Sequence, residues 1–127
     1  MPDRDSPRGR ALARLYADGD RLLAWVGVCD TVRTRARGLL GVREMATDEC
    51  VLLTPCRSIH TKGMKMPIDV AFLDRDRRVL AVREDLAPGH FLLSRRLFRT
   101  RAVIEAAAGA FREWGLAVGD VLRLEDA

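Results

Sequence analysis

At 127 residues and 14.2 kDa the chain fits one compact domain, which at this size buries roughly two-thirds of its unfolded-chain surface and so builds a real core. An apolar fraction of 48% with 31% charged residues excludes a largely disordered chain. The formal charge is +4, and its positive side is almost all arginine, Lys62 and Lys65 being the only lysines, so the skew is general and points to no one partner.

Residues 1–10 carry Pro2, Asp3, Arg4, Asp5, Ser6, Pro7, Arg8 and Gly9 without apolar periodicity, which predicts a flexible N-terminal tail before a single β-rich domain over residues 11–127. Residues 11–16 and 22–29 read as strands around an Asp18-Gly19 hairpin turn. The apolar run 22–29 follows an arginine-rich start but fails as an export signal, because Asp18 and Asp20 stand beside it and Val28 replaces the small residue a lipidation site wants before Cys29. No stretch approaches the roughly 20 apolar residues of a spanning helix, so no membrane association is expected. The three cysteines, Cys29, Cys50 and Cys56, lack the even count and dense spacing of a secreted disulfide scaffold, which argues for the cytoplasm.

Asp30 or Thr31 suits a helix N-cap, and residues 32–40 continue as a short helix ended by Gly38 and Gly41. Strands then return at 51–53, 68–73 and 78–83, the last two joined by the polar turn Asp74-Arg75-Asp76-Arg77. Residues 84–100 show no sustained alternation and read as a long loop, functional or flexible. A strand over 101–106, a helix within 107–114 ahead of Gly115, and a closing strand over 121–124 complete the chain. The fold class is α+β, mainly β: a compact antiparallel barrel-like sheet with two or three short helices.

Residues 55–74 contain Ser58-Ile59-His60-Thr61-Lys62-Gly63-Met64-Lys65-Met66-Pro67-Ile68-Asp69, preceded by Arg35-Ala36-Arg37-Gly38-Leu39-Leu40-Gly41 and followed by Val103-Ile104-Glu105, Gly109 and Gly119-Asp120. These ordered motifs resemble the signature of a widespread prokaryotic family known only as domain of unknown function 192. The resemblance implies a compact, mostly β domain and carries over no activity. Lys62 and Met66 stand where that family usually has aromatics, which alters the apolar lining beside the motif.

Ser58, His60 and Lys62 alternate and share a face if the stretch is extended, while Gly63 and Pro67 impose a bend before Asp69. The bend brings His60 and Asp69 within reach of one another. One reading makes residues 58–69 a groove for a ligand or protein partner, non-enzymatic or accessory, with Arg57, Ser58, His60 and Asp69 as its binding residues. A second makes His60 and Asp69 an acid–base pair on a small polar substrate. The structural alternative, which carries more weight than either role for the pair, has Asp69 capping backbone N–H groups and His60 simply hydrogen-bonded. Arg37 is expected to pair with a core carboxylate, Asp69 or Glu105.

Cys56 and His60 are four apart, but Cys29, Cys50 and His90 supply no paired spacing, so no metal is expected. The cysteines read as small buried apolar residues, with a low-pKa Cys56 thiol beside Arg57 as the alternative. No phosphate loop, dinucleotide fingerprint or metalloprotease helix occurs, and no cofactor is expected. Arg95-Arg96-Leu97-Phe98-Arg99-Thr100-Arg101 is the one candidate for weak nucleic-acid binding. Nucleic acid is nonetheless disfavoured as a partner, the plainer reading being a solvated loop anchored to the core by Phe98.

Overall fold

In the computed structural model residues 11–126 are described, and the tail expected over residues 1–10 lies outside them. Strands β1 (Ala11–Ala17) and β2 (Arg21–Cys29) form the opening hairpin, with Asp18 and Gly19 at φ 52° and 81°, the left-handed pair that an Asp-Gly turn supplies. Helix α1 (Val32–Arg37) starts at Thr31 rather than Asp30: Thr31 Oγ1 accepts from the Thr34 N–H at 3.1 Å, and Thr34 Oγ1 accepts from the Thr31 N–H at 3.0 Å. It stops three residues short of the expected end because Gly38 turns the chain out at φ 45°, ψ −122°.

There follow β3 (Glu49–Leu53), β4 (Ser58–His60), β5 (Ile68–Leu73), β6 (Val79–Leu86), β7 (Phe91–Leu93), β8 (Ala102–Ala107), α2 (Ala110–Trp114) and β9 (Leu122–Asp126). Seven strands form one sheet in the order β6-β5-β8-β3-β2-β1-β9, while β4 pairs with β7 in a second, two-stranded sheet. The large sheet is mainly antiparallel as expected, and is mixed only because β2 and β3 run parallel from Trp25 against Glu49 to Cys29 against Leu53. A parallel pair requires a crossover, and α1 with the loop behind it provides that connection. The sheet's edges meet at one antiparallel bridge, Arg78 to Val121, so it curls round without closing into a barrel.

The stretch 84–100 is not a structureless loop. Strand β6 runs on to Leu86, and β7 occupies Phe91–Leu93. With only three residues, and with Phe91 70% and Leu93 49% exposed, β7 has no polar–apolar alternation by which to be recognised.

Alternation does set the core. Cys50 and Leu52 of β3, Ala71 and Leu73 of β5, and Ile104 and Ala106 of β8 face one way, where Phe111 and Trp114 of α2 cover them. Val51 and Leu53, Val70 and Phe72, and Val103 face the other way, under Leu39 and Val42 behind α1 and under Ile59 of β4. Two covered faces make β5 buried along its whole length.

Candidate functional site

Asp69 shares a face with Ala71 and Leu73 and therefore points toward α2. Its Oδ1 accepts from the Asp85 N–H at 2.9 Å, and its Oδ2 accepts from the Gly109 and Phe111 N–H groups, each at 3.1 Å. The first donor belongs to a bulge: between the pairs Ile68–Leu86 and Val70–Arg83, Glu84 and Asp85 both oppose Asp69, and Asp85 takes φ 53°. The other two begin α2, whose N-cap Gly109 has no side chain of its own to cap with. Asp69, fully buried, thus ties strand β6 to helix α2 through main-chain donors.

The other face of the sheet holds a cavity of about 230 Å³. One wall is the end of α1 and the turn after it, from Arg35 through Gly38 to Leu40. The opposite wall is Cys56, Ser58, Ile59, His60 and Met64, and the sheet contributes Leu53 and Glu105. Glu105 lies in β8 between Val51 and Val70, with the parity of Val103. It is 1% exposed, and its Oε1 has no hydrogen-bond partner. Burial pushes its carboxyl up to about 7 against the opposing pull of the Leu39 backbone hydrogen bond. Gly38 is a glycine for two reasons here: its positive φ, and a Cβ that would come within 2.8 Å of Glu105 Oε1.

The residues expected to form the site are therefore divided. Ser58 and His60 line the cavity; Arg57 and Lys62 are exposed outside its lining, and Asp69 is on the opposite face of the sheet. No hydrogen bond joins His60 to Asp69, so the expected acid–base pair does not form, because strand parity turns the carboxylate the other way. Among the described residues the His60 side chain makes no hydrogen bond, and Arg37, which lines the same cavity as Glu105, forms no ion pair with it or with Asp69. The Cys56 thiol donates to the Ser58 carbonyl at 3.1 Å and is pushed above its ordinary value by burial, the reverse of an activated thiol. Among the described residues no three His, Cys, Asp or Glu side chains gather as metal ligands.

Glu105 carries the same mark in the sequence as Asp69, a single carboxylate inside an apolar strand. Sequence reasoning assigned it only as a possible partner for Arg37. Thr61, between His60 and Lys62 in the motif, organises the bend: its Oγ1 donates to the Ala87 carbonyl at 2.8 Å and accepts from the His90 N–H at 2.9 Å.

The arginine segment is ordered by a buried hydroxyl pair, Ser94 Oγ to Thr100 Oγ1 at 2.7 Å, and by Arg101 Nη1 donating to the Phe98 carbonyl at 2.9 Å. Phe98 does not anchor it. The ring is 85% exposed, because the hydroxyl pair already holds the turn.

Among solved structures the fold is similar to a protein of unknown function from Novosphingobium aromaticivorans DSM 12444, with a TM-score of 0.75 and 21% identity over 88% of this chain and 84% of that one. It is equally similar to a protein from Sinorhizobium meliloti 1021 described as a candidate transcription regulator, with a TM-score of 0.76 and 24% identity over 90% and 92% of the two chains. Identities this low establish a shared fold alone. No curated protein matches the chain. The model of the DUF192 family, described as an uncharacterized ACR and without an assigned activity, matches residues 14–124, and with nearly the whole described chain inside that match the protein belongs to the DUF192 family.

Proposed function

We propose that the protein is a small-ligand-binding domain, non-enzymatic or accessory, whose groove is the cavity between α1 and β4. The observation that carries this reading is Glu105 Oε1, a buried acceptor without a donor at a cavity wall, since buried polar atoms in folded proteins nearly always have partners. Ser58 and His60 add polar groups on the facing wall, and Leu53, Ile59 and Met64 add apolar surface, the mixture that ligand pockets present. The enzymatic alternative loses its premise with the His60–Asp69 pair. We place the protein in the cytoplasm, a reading supported by Cys29 and Cys56 standing as thiols; no helix among the described residues is long and apolar enough to cross a membrane. The test is amide chemical-shift mapping against a library of small polar fragments. Shifts gathered at residues 35–40, 56–60 and 105 are expected, and a folded protein whose cavity amides respond to no fragment would overturn the reading.

A second reading, single-stranded nucleic-acid binding through Arg95, Arg96, Arg99 and Phe98, is favoured by one observation, the exposure of the Phe98 ring beside those arginines. The regulator description of the Sinorhizobium protein is compatible with it. Fluorescence anisotropy with a labelled oligothymidylate should show binding that weakens with salt and is lost in Phe98→Ala. Unchanged heparin retention after Arg95, Arg96 and Arg99 are replaced by Ala would sink it.

A further inference from the structure

We propose that the cavity takes a small amino acid, with the ligand's ammonium on Glu105 inside and its carboxylate on Arg37 at the mouth. The inference rests on the ligand-cavity reading above and assigns its chemical class. Two separate observations carry it. The inner one is the unpartnered Oε1 of a side chain 1% exposed, which calls for a hydrogen-bond donor. The outer one is Arg37, an exposed guanidinium that lines the cavity and makes no hydrogen bond or ion pair among the described residues.

Neighbouring charges narrow the choice. Arg35 is already committed to carbonyls, donating to Asp30 O at 3.1 Å and Thr54 O at 3.5 Å, and so stands as fixed positive charge on the same wall. A simple cation seeking Glu105 would have to pass two arginines, and a simple anion held by the arginines would leave Glu105 unanswered. A molecule with both charges satisfies both ends, the guanidinium fork being suited to a carboxylate. Leu40, Leu53, Ile59 and Met64 give the space between an apolar lining. The volume, about 230 Å³, falls below the roughly 300 Å³ at which drug-sized pockets begin, which favours an amino acid over a nucleotide or a peptide.

The probes are leucine, γ-aminobutyrate and δ-aminovalerate, which vary the spacing of the two charges, with n-butylamine and n-butyrate as single-charge controls. Calorimetry on the full chain at low salt and about pH 8, where Glu105 is charged, is combined with amide shift mapping. At least one amino acid should bind about tenfold more tightly than either control, with shifts at residues 35–40, 56–60 and 105. Arg37→Gln, an exposed change that leaves the fold alone, should erase the advantage over butylamine, and Glu105→Gln, close in shape, should erase the advantage over butyrate. Equal or tighter binding of a control, or cavity shifts from other fragments but from no amino acid, overturns the amino-acid assignment and leaves the ligand cavity standing. Silence of the cavity amides to every probe and fragment overturns both.

Discussion

Asp69 and Glu105 are both carboxylates buried in neighbouring central strands, and they sit on opposite faces of the same sheet. Asp69 has three main-chain donors on its two oxygens, whereas Glu105 keeps one oxygen without any. The difference follows from what covers each face. On the first, a bulge and a helix start bring orphan N–H groups that need an acceptor, so a carboxylate stabilises the junction. On the second, the turn after α1 and the β4 bend arch over the sheet but bring no donor to Glu105 Oε1, so a carboxylate there keeps a buried acceptor unanswered at the cavity wall. A buried acid is structural or available according to the donors its neighbours bring, not according to its burial.

The largest effect is expected from removing the satisfied carboxylate. Asp69→Ala leaves three N–H groups without an acceptor, at the Asp85 bulge and the first turn of α2, and should cost about 4 kcal/mol. Urea unfolding measures it. A loss below about 1 kcal/mol would show that water replaces the side chain and that the contrast with Glu105 is not energetic.

Much of this frame was legible from residues alone. The strand 68–73 and its turn were plain, because the apolar run is bounded by Asp74, whose Oδ1 accepts from the Asp76 and Arg78 N–H groups at 2.9 and 3.0 Å, the local bonding that makes Asp a turn residue. Period-two patterning marks a strand but not its direction, so nothing in residues 21–29 or 49–53 announced a parallel pair. The site was half legible for the same reason. Ser58 and His60 were recognised on one face, and Asp69 was recognised as a buried carboxylate, but which face the bend would cover depends on where α1 crosses, a long-range choice that no short motif encodes. Glu105 became visible as a wall of the cavity only once β8 was known to lie between β5 and β3.

The second effect in size concerns charge on the unsatisfied side. Glu105 titrates at about 7 in the folded chain against an ordinary 4.5, so between these values the native state holds more protons than the unfolded one. Its contribution to stability is therefore fully present below about pH 4.5 and is lost as pH rises through about 7, a swing on the order of 3 kcal/mol. Glu105→Gln should remove that slope and be more stable than the parent at about pH 8, while differing little near pH 5. Parallel parent and variant curves across this range would mean that the carboxylate is solvated, and the contrast with Asp69 would collapse.

The smallest effect tests how closely the cavity wall is built around that oxygen. Gly38→Ala places a methyl about 2.8 Å from Glu105 Oε1 at a backbone φ of 45°, so its cost, about 2 kcal/mol, has a steric part and a conformational part. The two separate in a double-mutant cycle with Glu105→Ala. With the carboxylate gone, the methyl has room, and only the cost of the left-handed backbone should remain, so the two changes together should be milder than their sum. Additive costs would place the whole penalty in the backbone and would mean that the turn after α1 does not press on Glu105. The approach of Gly38 would then be a property of the turn, and the unpartnered oxygen would owe nothing to the wall above it.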